Sequence, residues 1–258
     1  MSQELLLTLV RGLDLAPEAD VLDLCCAEGT ASLLLAHQLP LHCVGVDARA
    51  DFLAVARQCA RDLGLEERVQ FRQMDPRHLE LQTAHFDLVL ALGGALSSLG
   101  RVPALERLRF HLKPGGVLLL CEPIYLDSAP DLEVLDSLER GRDEEGRPYE
   151  LESNAPSPLV RAVFEHGPYG YETENGLRSL LEALDFEVGW SCLMPESVWS
   201  AHFAQARAHL GEDAGEWSEL AREAIAFYAL GGRRTLGSLL LAARRPRMSA
   251  DGPEEHSE

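Results

Sequence analysis

Short, largely apolar runs alternate with stretches of helical periodicity through the first half of the chain. The runs are Val21–Cys26, Leu41–Asp47, Val69–Asp75, Phe86–Gly93 and Val117–Pro123. Hydrophobicity that is near-continuous rather than alternating suits a strand covered on both faces, so these five predict a buried parallel sheet. Between them lie helices with readable ends: Thr30–Leu39 halted by Pro40, Ala50–Leu63 halted by Gly64, and Val102–Leu112 with Pro103 in its first turn and Pro114-Gly115-Gly116 behind it. Only one short helix precedes the first strand. Repeated βα units of this kind predict a doubly wound, mostly parallel α/β sheet.

The second half is less regular. Residues 126–172 mix a charged stretch (139–145) with five prolines, which reads as a long insertion with one helix near Asp131–Leu138. A helix over Glu174–Phe186 leads into a strand candidate, Val188–Met194, and Leu236–Ala243 is a last strand candidate that brings the count to seven. Residues 196–230 look helical with an interruption at Gly211-Glu212-Asp213. The chain therefore reads as a single domain over 1–244, with helical caps inserted at about 126–172 and 196–235. A polar tail, expected to be disordered, follows over 245–258.

Composition narrows the partners. Of 258 residues, 42 are acidic and 23 are Lys or Arg, a net charge of −19 whose field repels phosphate backbones and argues against nucleic acid. The longest apolar runs, such as Ala224–Leu230, fall far short of the roughly 20 residues a membrane helix needs. Glu4 stands where a signal peptide would carry basic residues, which points to the cytoplasm. Six cysteines without any C-x-x-C pair are expected to be reduced core residues rather than a zinc site.

In an open α/β sheet, ligands bind at the carboxyl ends of the strands. The first strand and its loop read Val21-Leu22-Asp23-Leu24-Cys25-Cys26-Ala27-Glu28-Gly29-Thr30: an acid inside an apolar strand, mostly small residues, then a helix start whose free N–H groups can face a ligand. A tight βα turn also favours small residues, so the loop by itself is ambiguous. The second strand ends in Asp47, an acid able to accept from both hydroxyls of a ribose and expected to be solvated when no ligand is present. The third ends in Met74-Asp75-Pro76. Each acid alone reads equally as a strand-end cap; three on successive strands read as a nucleoside pocket.

With these residues in view, the chain resembles the class I S-adenosylmethionine-dependent methyltransferases, over about residues 1–125 and again over 174–243. Val21–Gly29 looks like the family's first motif, although Cys25, Ala27 and Glu28 stand where glycine or another small residue is usual. Gly45–Asp47 resembles the ribose-binding strand end, Met74-Asp75 the adenine-edge pair, and Leu112–Gly116 the turn before the fifth strand. The resemblance implies S-adenosylmethionine as cofactor. It places Asp23 and the 25–29 backbone, with Cys25, Ala27 and Gly29, at the methionine end, and Asp47 on the ribose. It gives the adenine amine to Asp75, with Met74, Ala48 and Pro76 beside the ring and Leu92 and Gly93 beneath the cofactor. A narrower likeness, through Gly94-Ala95, Glu122-Pro123 and the segment Gly231–Gly237, is to bacterial methyltransferases of small molecules.

A sulfonium methyl donor is already activated, so the protein has chiefly to align a nucleophile, exclude water and, for an O–H or N–H acceptor, take a proton. Glu122, at the carboxyl end of the fifth strand, reads either as that base or substrate anchor, or as a residue that caps a loop or pairs with Arg233 or Arg234. His166, with Tyr169 and Tyr171, lies in a Gly/Pro loop that could cover the pocket or plug the core edge. Trp199 and His202 share a helical stripe with Phe203; these two, with Tyr169, Tyr171 and Tyr125, which lies two residues past the fifth run, are the acceptor-side candidates. The adjacent thiols of Cys25 and Cys26 also invite a thiol- or arsenic-methylation reading. The rivals are a nicotinamide-dependent oxidoreductase, which wants G-x-G-x-x-G where this loop has only Gly29, and a non-catalytic cofactor-binding partner subunit.

Overall fold

A computed structural model describes residues 2–126, 173–195 and 236–247. Both expected caps, and the tail beyond Arg247, lie outside the described residues. In chain order the elements are α1 (Gln3–Arg11), β1 (Ala19–Leu24), α2 (Thr30–Gln38), β2 (Leu41–Asp47), α3 (Ala50–Asp62), β3 (Val69–Gln73), β4 (Phe86–Ala91), α4 (Ala95–Leu99), α5 (Arg101–His111), β5 (Leu112–Tyr125), α6 (Glu174–Ala183), β6 (Glu187–Leu193) and β7 (Leu236–Arg244). The seven strands form one sheet in the order β3-β2-β1-β4-β5-β7-β6. The first five are parallel, and β7 runs antiparallel between β5 and β6.

The apolar runs of β1, β4 and β5 are continuous because each of these strands feeds two cores. Val21, Leu88, Leu90, Val117 and Leu119 face one layer with Leu6, Leu35, Leu53 and Ala56 of α1, α2 and α3. Their neighbours Leu22, Leu24, Val89, Leu118 and Leu120 face the other, with Leu96, Leu105, Leu108, Leu177 and Leu181 of α4, α5 and α6. Side chains alternate across a strand, so a strand buried on both faces must be apolar at every position. Outer helices are fixed at their starts by side-chain caps: Ser2 Oγ accepts from Leu5 N at 3.2 Å, and Thr173 Oγ1 from Gly176 N at 3.1 Å.

Strand ends differ from expectation for local reasons. β1 stops at Leu24, not Cys26, because Cys25 swings to φ +56°. β4 stops at Ala91 because Gly93 and Gly94 take φ +69° and +83° and lead into α4, a helix that the sequence pattern does not announce. The turn Pro114-Gly115-Gly116, expected ahead of the fifth strand, falls inside it. Leu112 faces Phe86 and Val117 faces Leu88, so β5 carries three extra residues in a bulge. That bulge is paired: Gly115 N donates to Arg245 O at 2.8 Å and Arg245 N to Gly116 O at 2.9 Å. The Arg245 guanidinium also donates to Arg109 O at 3.0 Å and Leu112 O at 2.5 Å. Arg245 thus belongs to the folded body, and the tail cannot begin where the fall in hydrophobicity puts it.

Phe71, buried on β3, presses its ring against two glycines. A Cβ at Gly29 would stand 2.3 Å from Phe71 Cζ, and one at Gly45 would stand 2.6 Å from Phe71 Cδ1 and 2.9 Å from Cys26 Sγ. Gly45 has an ordinary φ, so space alone demands glycine there. We expect Gly45→Ala to cost about 1–3 kcal/mol in urea unfolding, the usual range for overpacking, and Phe71→Leu in the same chain to recover part of that loss. Equal losses in the presence and absence of Phe71→Leu would show that the ring is not what excludes the methyl group.

Candidate functional site

The loop between β1 and α2 reaches its shape with little glycine. Cys25 (φ +56°), Ala27 (+48°) and Gly29 (+74°) all take left-handed backbone, and for the two that carry a Cβ this costs roughly 1–2 kcal/mol each. Three backbone contacts hold it: Cys26 N donates to Val46 O at 3.0 Å, Gly29 N to Cys26 O at 2.8 Å, and Ala27 N to the Asp47 carboxylate, through Oδ2, at 2.9 Å. From the other side the Phe71 ring closes on Gly29 and Gly45. Its position is secured by Arg57, whose Nη2 and Nε donate to Phe71 O at 2.8 and 3.2 Å. Gly29 enters α2 without a side-chain cap, leaving the helix N-terminus turned toward the strand ends.

Asp47 is more than a solvated strand end. While Oδ2 takes the Ala27 N–H, Oδ1 accepts from Arg49 N at 2.9 Å. Its carboxylate therefore ties the β1 loop to the start of α3, and contrary to expectation it has structural work without any ligand. Each carboxylate oxygen has a second lone pair, so the group retains acceptor capacity.

Asp23 lies within β1, 3% exposed. Its Oδ2 accepts from Ser32 Oγ at 2.7 Å and Ser32 N at 3.3 Å, pinning the first turn of α2 to the sheet. Burial pushes its carboxyl up to about 6, against a smaller lowering by the Ser32 hydrogen bonds. Further along the edge, Met74 N donates to Asp47 O at 3.1 Å, extending the β2–β3 ladder one residue past the strand, and the Met74 side chain packs on the second core. Asp75 is exposed; Oδ1 accepts from Arg77 N at 2.8 Å, and this bond, ahead of the neighbouring His78, keeps the carboxyl below its usual value. Pro76 is buried and Ala48 exposed, with Gln73 Nε2 donating to Ala48 O at 3.1 Å.

Just past β4, Leu92 is half-buried and Gly93 is exposed, with no described residue within 4 Å of the place its Cβ would occupy. Glu122, fully buried at the end of β5, directs Oε1 to Leu96 N at 2.9 Å, the second residue of α4. Tyr125 is 3% exposed and bridges Thr173. His166, Tyr169, Tyr171, Trp199 and His202 lie outside the described residues, as do Arg233 and Arg234. The described site therefore unites Asp23, Cys25, Ala27, Gly29, Asp47, Met74, Asp75, Gly93 and Glu122 along one sheet edge.

Electrostatics at this edge are acidic. Burial, followed by the carboxylates of Asp47, Asp23 and Glu122, pushes the Cys25 thiol up to about 12, and burial raises Cys26 further. A thiol so far from ionising is a poor nucleophile, which removes the basis for the thiol and arsenic readings of this pair. Among the described residues no group of three or more His, Cys, Asp or Glu could hold a metal ion, and no helix is long and apolar enough to cross a membrane. Sequence reading missed Phe71, Arg57 and Ser32. Phe71 had a signal in the alternation of Val69-Gln70-Phe71-Arg72; Ser32, a small polar residue within a helix, had none.

Residues 21–116 match the family described as a methyltransferase domain. The demethylmenaquinone methyltransferase of Lactiplantibacillus plantarum is 34% identical over 110 residues, 42% of this chain and 46% of that one. Escherichia coli YjhP is 31% identical over 124 residues, 48% of this chain and 50% of its own. The chain thus spans about half the length of these curated relatives. Its fold superposes on the YjhP crystal structure with a TM-score of 0.68 at 22% identity, covering 94% of this chain and 92% of that one. A Geobacter sulfurreducens S-adenosylmethionine-dependent methyltransferase, solved with S-adenosylhomocysteine, gives 0.67 at 22% identity over 96% and 92%. Residues 21–116 are thus similar to a methyltransferase domain, and the seven-stranded sheet has the strand order of the Rossmann-like methyltransferase fold.

The buried carboxyl of Asp23 makes a testable demand. Its folded value lies above the ordinary 3.8, so the stability it contributes is full below pH 3.8 and is lost as pH rises through about 6. Asn at this position keeps an oxygen for Ser32 and removes the charge. The stability of Asp23→Asn relative to the natural chain should therefore rise between pH 4 and 7, by on the order of 3 kcal/mol. A difference independent of pH in urea titrations would contradict the burial account.

Proposed function

We propose that this chain binds S-adenosylmethionine along the carboxyl edge of β1, β2 and β3 and transfers its methyl group to a small-molecule acceptor. The observation that carries this reading is the carboxylate of Asp47, fixed by two backbone N–H groups beside a preformed left-handed loop and a helix start whose N-cap is Gly29. That arrangement fits an adenosine with a cationic tail: an acceptor for the ribose diol, a backbone cradle, and nearby acids for positive charge. When bound, the cofactor supplies an activated methyl group on a sulfonium.

The residues then divide the work. Asp47 orients the ribose, Asp75 accepts from the adenine amine, and Met74, Ala48 and Pro76 flank the ring. The backbone of 25–29 and the buried Asp23 hold the methionine end, where an ammonium would draw the Asp23 carboxyl toward its ionised form. Leu92 and Gly93 form the floor. On the acceptor side we assign Tyr125, Tyr169, Tyr171, Trp199 and His202 to shape and His166 to proton transfer. The name of the Lactiplantibacillus plantarum relative, demethylmenaquinone methyltransferase, supports a small molecule as acceptor. A nicotinamide cofactor fits less well, because the loop reaches the helix with a single glycine.

Asp47→Ala should weaken both S-adenosylmethionine and S-adenosylhomocysteine by at least ~10-fold in calorimetric titration, since hydrogen bonds to a charged group contribute roughly 1.5–3 kcal/mol. It should also destabilise the unliganded protein by about 1–2 kcal/mol through release of the Ala27 and Arg49 amides. NADH should bind neither form. Binding of NADH by the natural chain, with none of S-adenosylmethionine, would overturn the assignment and leave the fold untouched.

A further inference from the structure

Three consecutive residues at the end of β5 fasten the turn that follows β4. Cys121 O accepts from Gly94 N at 3.1 Å, Glu122 Oε1 accepts from Leu96 N at 2.9 Å, and the Pro123 ring lies 3.4 Å from where a Gly94 Cβ would stand. Pro123 O in turn accepts from Arg101 Nη2 at 3.2 Å, at the start of α5. Of these links only the one through Glu122 depends on a side chain of β5 reaching across to a backbone amide. The fastened turn contains Gly93, which is exposed and has no described residue within 4 Å of its Cβ position.

We infer that Glu122 is a positioning residue, whose carboxylate holds α4 and the Gly93-Gly94 turn at the floor of the cofactor site. Its side chain is fully buried, and one carboxylate oxygen is directed at a main-chain N–H of α4. An unanchored α4 would be free to tilt, because its five residues make barely one turn and are too few to hold a helix by themselves. The inference rests on the proposed cofactor reading for its functional consequence, but the anchor itself can be measured separately.

Two substitutions separate reach from charge. Glu122→Gln keeps an oxygen at the same distance and loses the charge; Glu122→Asp keeps the charge and falls one methylene short. The readouts are amide hydrogen exchange at Leu96 and calorimetric affinity for S-adenosylhomocysteine. Glu122→Asp should speed Leu96 exchange and weaken binding by about 10-fold or more, while Glu122→Gln, which retains Oε1, should disturb Leu96 exchange less than Glu122→Asp does. The reverse pattern, with Asp tolerated and Gln damaging, would overturn the inference by showing that charge is what matters. Unchanged Leu96 exchange in Glu122→Asp would overturn it as well. If the natural chain binds no S-adenosylhomocysteine but Leu96 exchange responds as stated, the anchor stands and it is the cofactor reading that fails.

Discussion

The short loop after β1 must run through left-handed backbone at three of five residues, and only one of them is glycine. Everything else at the strand edge can be understood as what holds that path in place. The Asp47 carboxylate takes the Ala27 amide, the Val46 carbonyl takes the Cys26 amide, and Phe71 fills the space that the missing side chains of Gly29 and Gly45 leave. Strain of this size persists only where the surroundings over-determine it. A loop held so firmly before a ligand arrives loses little entropy when one binds, which is how preorganisation raises affinity.

The same economy explains why one residue serves two purposes. Asp47 sits at a strand end because β2 terminates there, and its neighbours are main-chain amides because both the β1 loop and the start of α3 converge on it. Asp23 secures the first turn of α2 through Ser32, and Glu122 secures α4 through Leu96. Each acid lies at a junction between a strand and the helix that follows this or an adjacent strand. The doubly wound topology creates such junctions wherever a parallel strand hands over to its helix, and there unsatisfied N–H groups wait for an acceptor.

How much of this was legible in the sequence follows from what each feature depends on. Strands such as β1, β4 and β5 were readable because double burial leaves a local mark, an apolar run between helix caps, whereas the short α4 left none. Asp23, Asp47 and Asp75 were readable as polar endings of such runs. The antiparallel place of β7 between β5 and β6 was not, because pairing partners are set by packing far away in sequence. Likewise the bulge at Pro114–Gly116 looked like an ordinary turn until Arg245, some 130 residues away, was seen to pair with it. Phe71 looked like any core aromatic; its particular role exists only where Gly29 and Gly45 come together. Glu122 was readable as an acid at a strand end, but the direction of its carboxylate was not.

The central claim is that the strand edge around Asp47 is a cofactor cradle already formed in the free protein. It is tested most directly by titrating the natural chain with S-adenosylhomocysteine while following backbone amide resonances. The account predicts saturable shifts confined to residues 25–30, 47–49, 74–77 and 92–94, with the Ala27 amide already protected from exchange before any ligand is added. Saturable shifts elsewhere on the sheet, or an Ala27 amide that becomes protected only on binding, would contradict it.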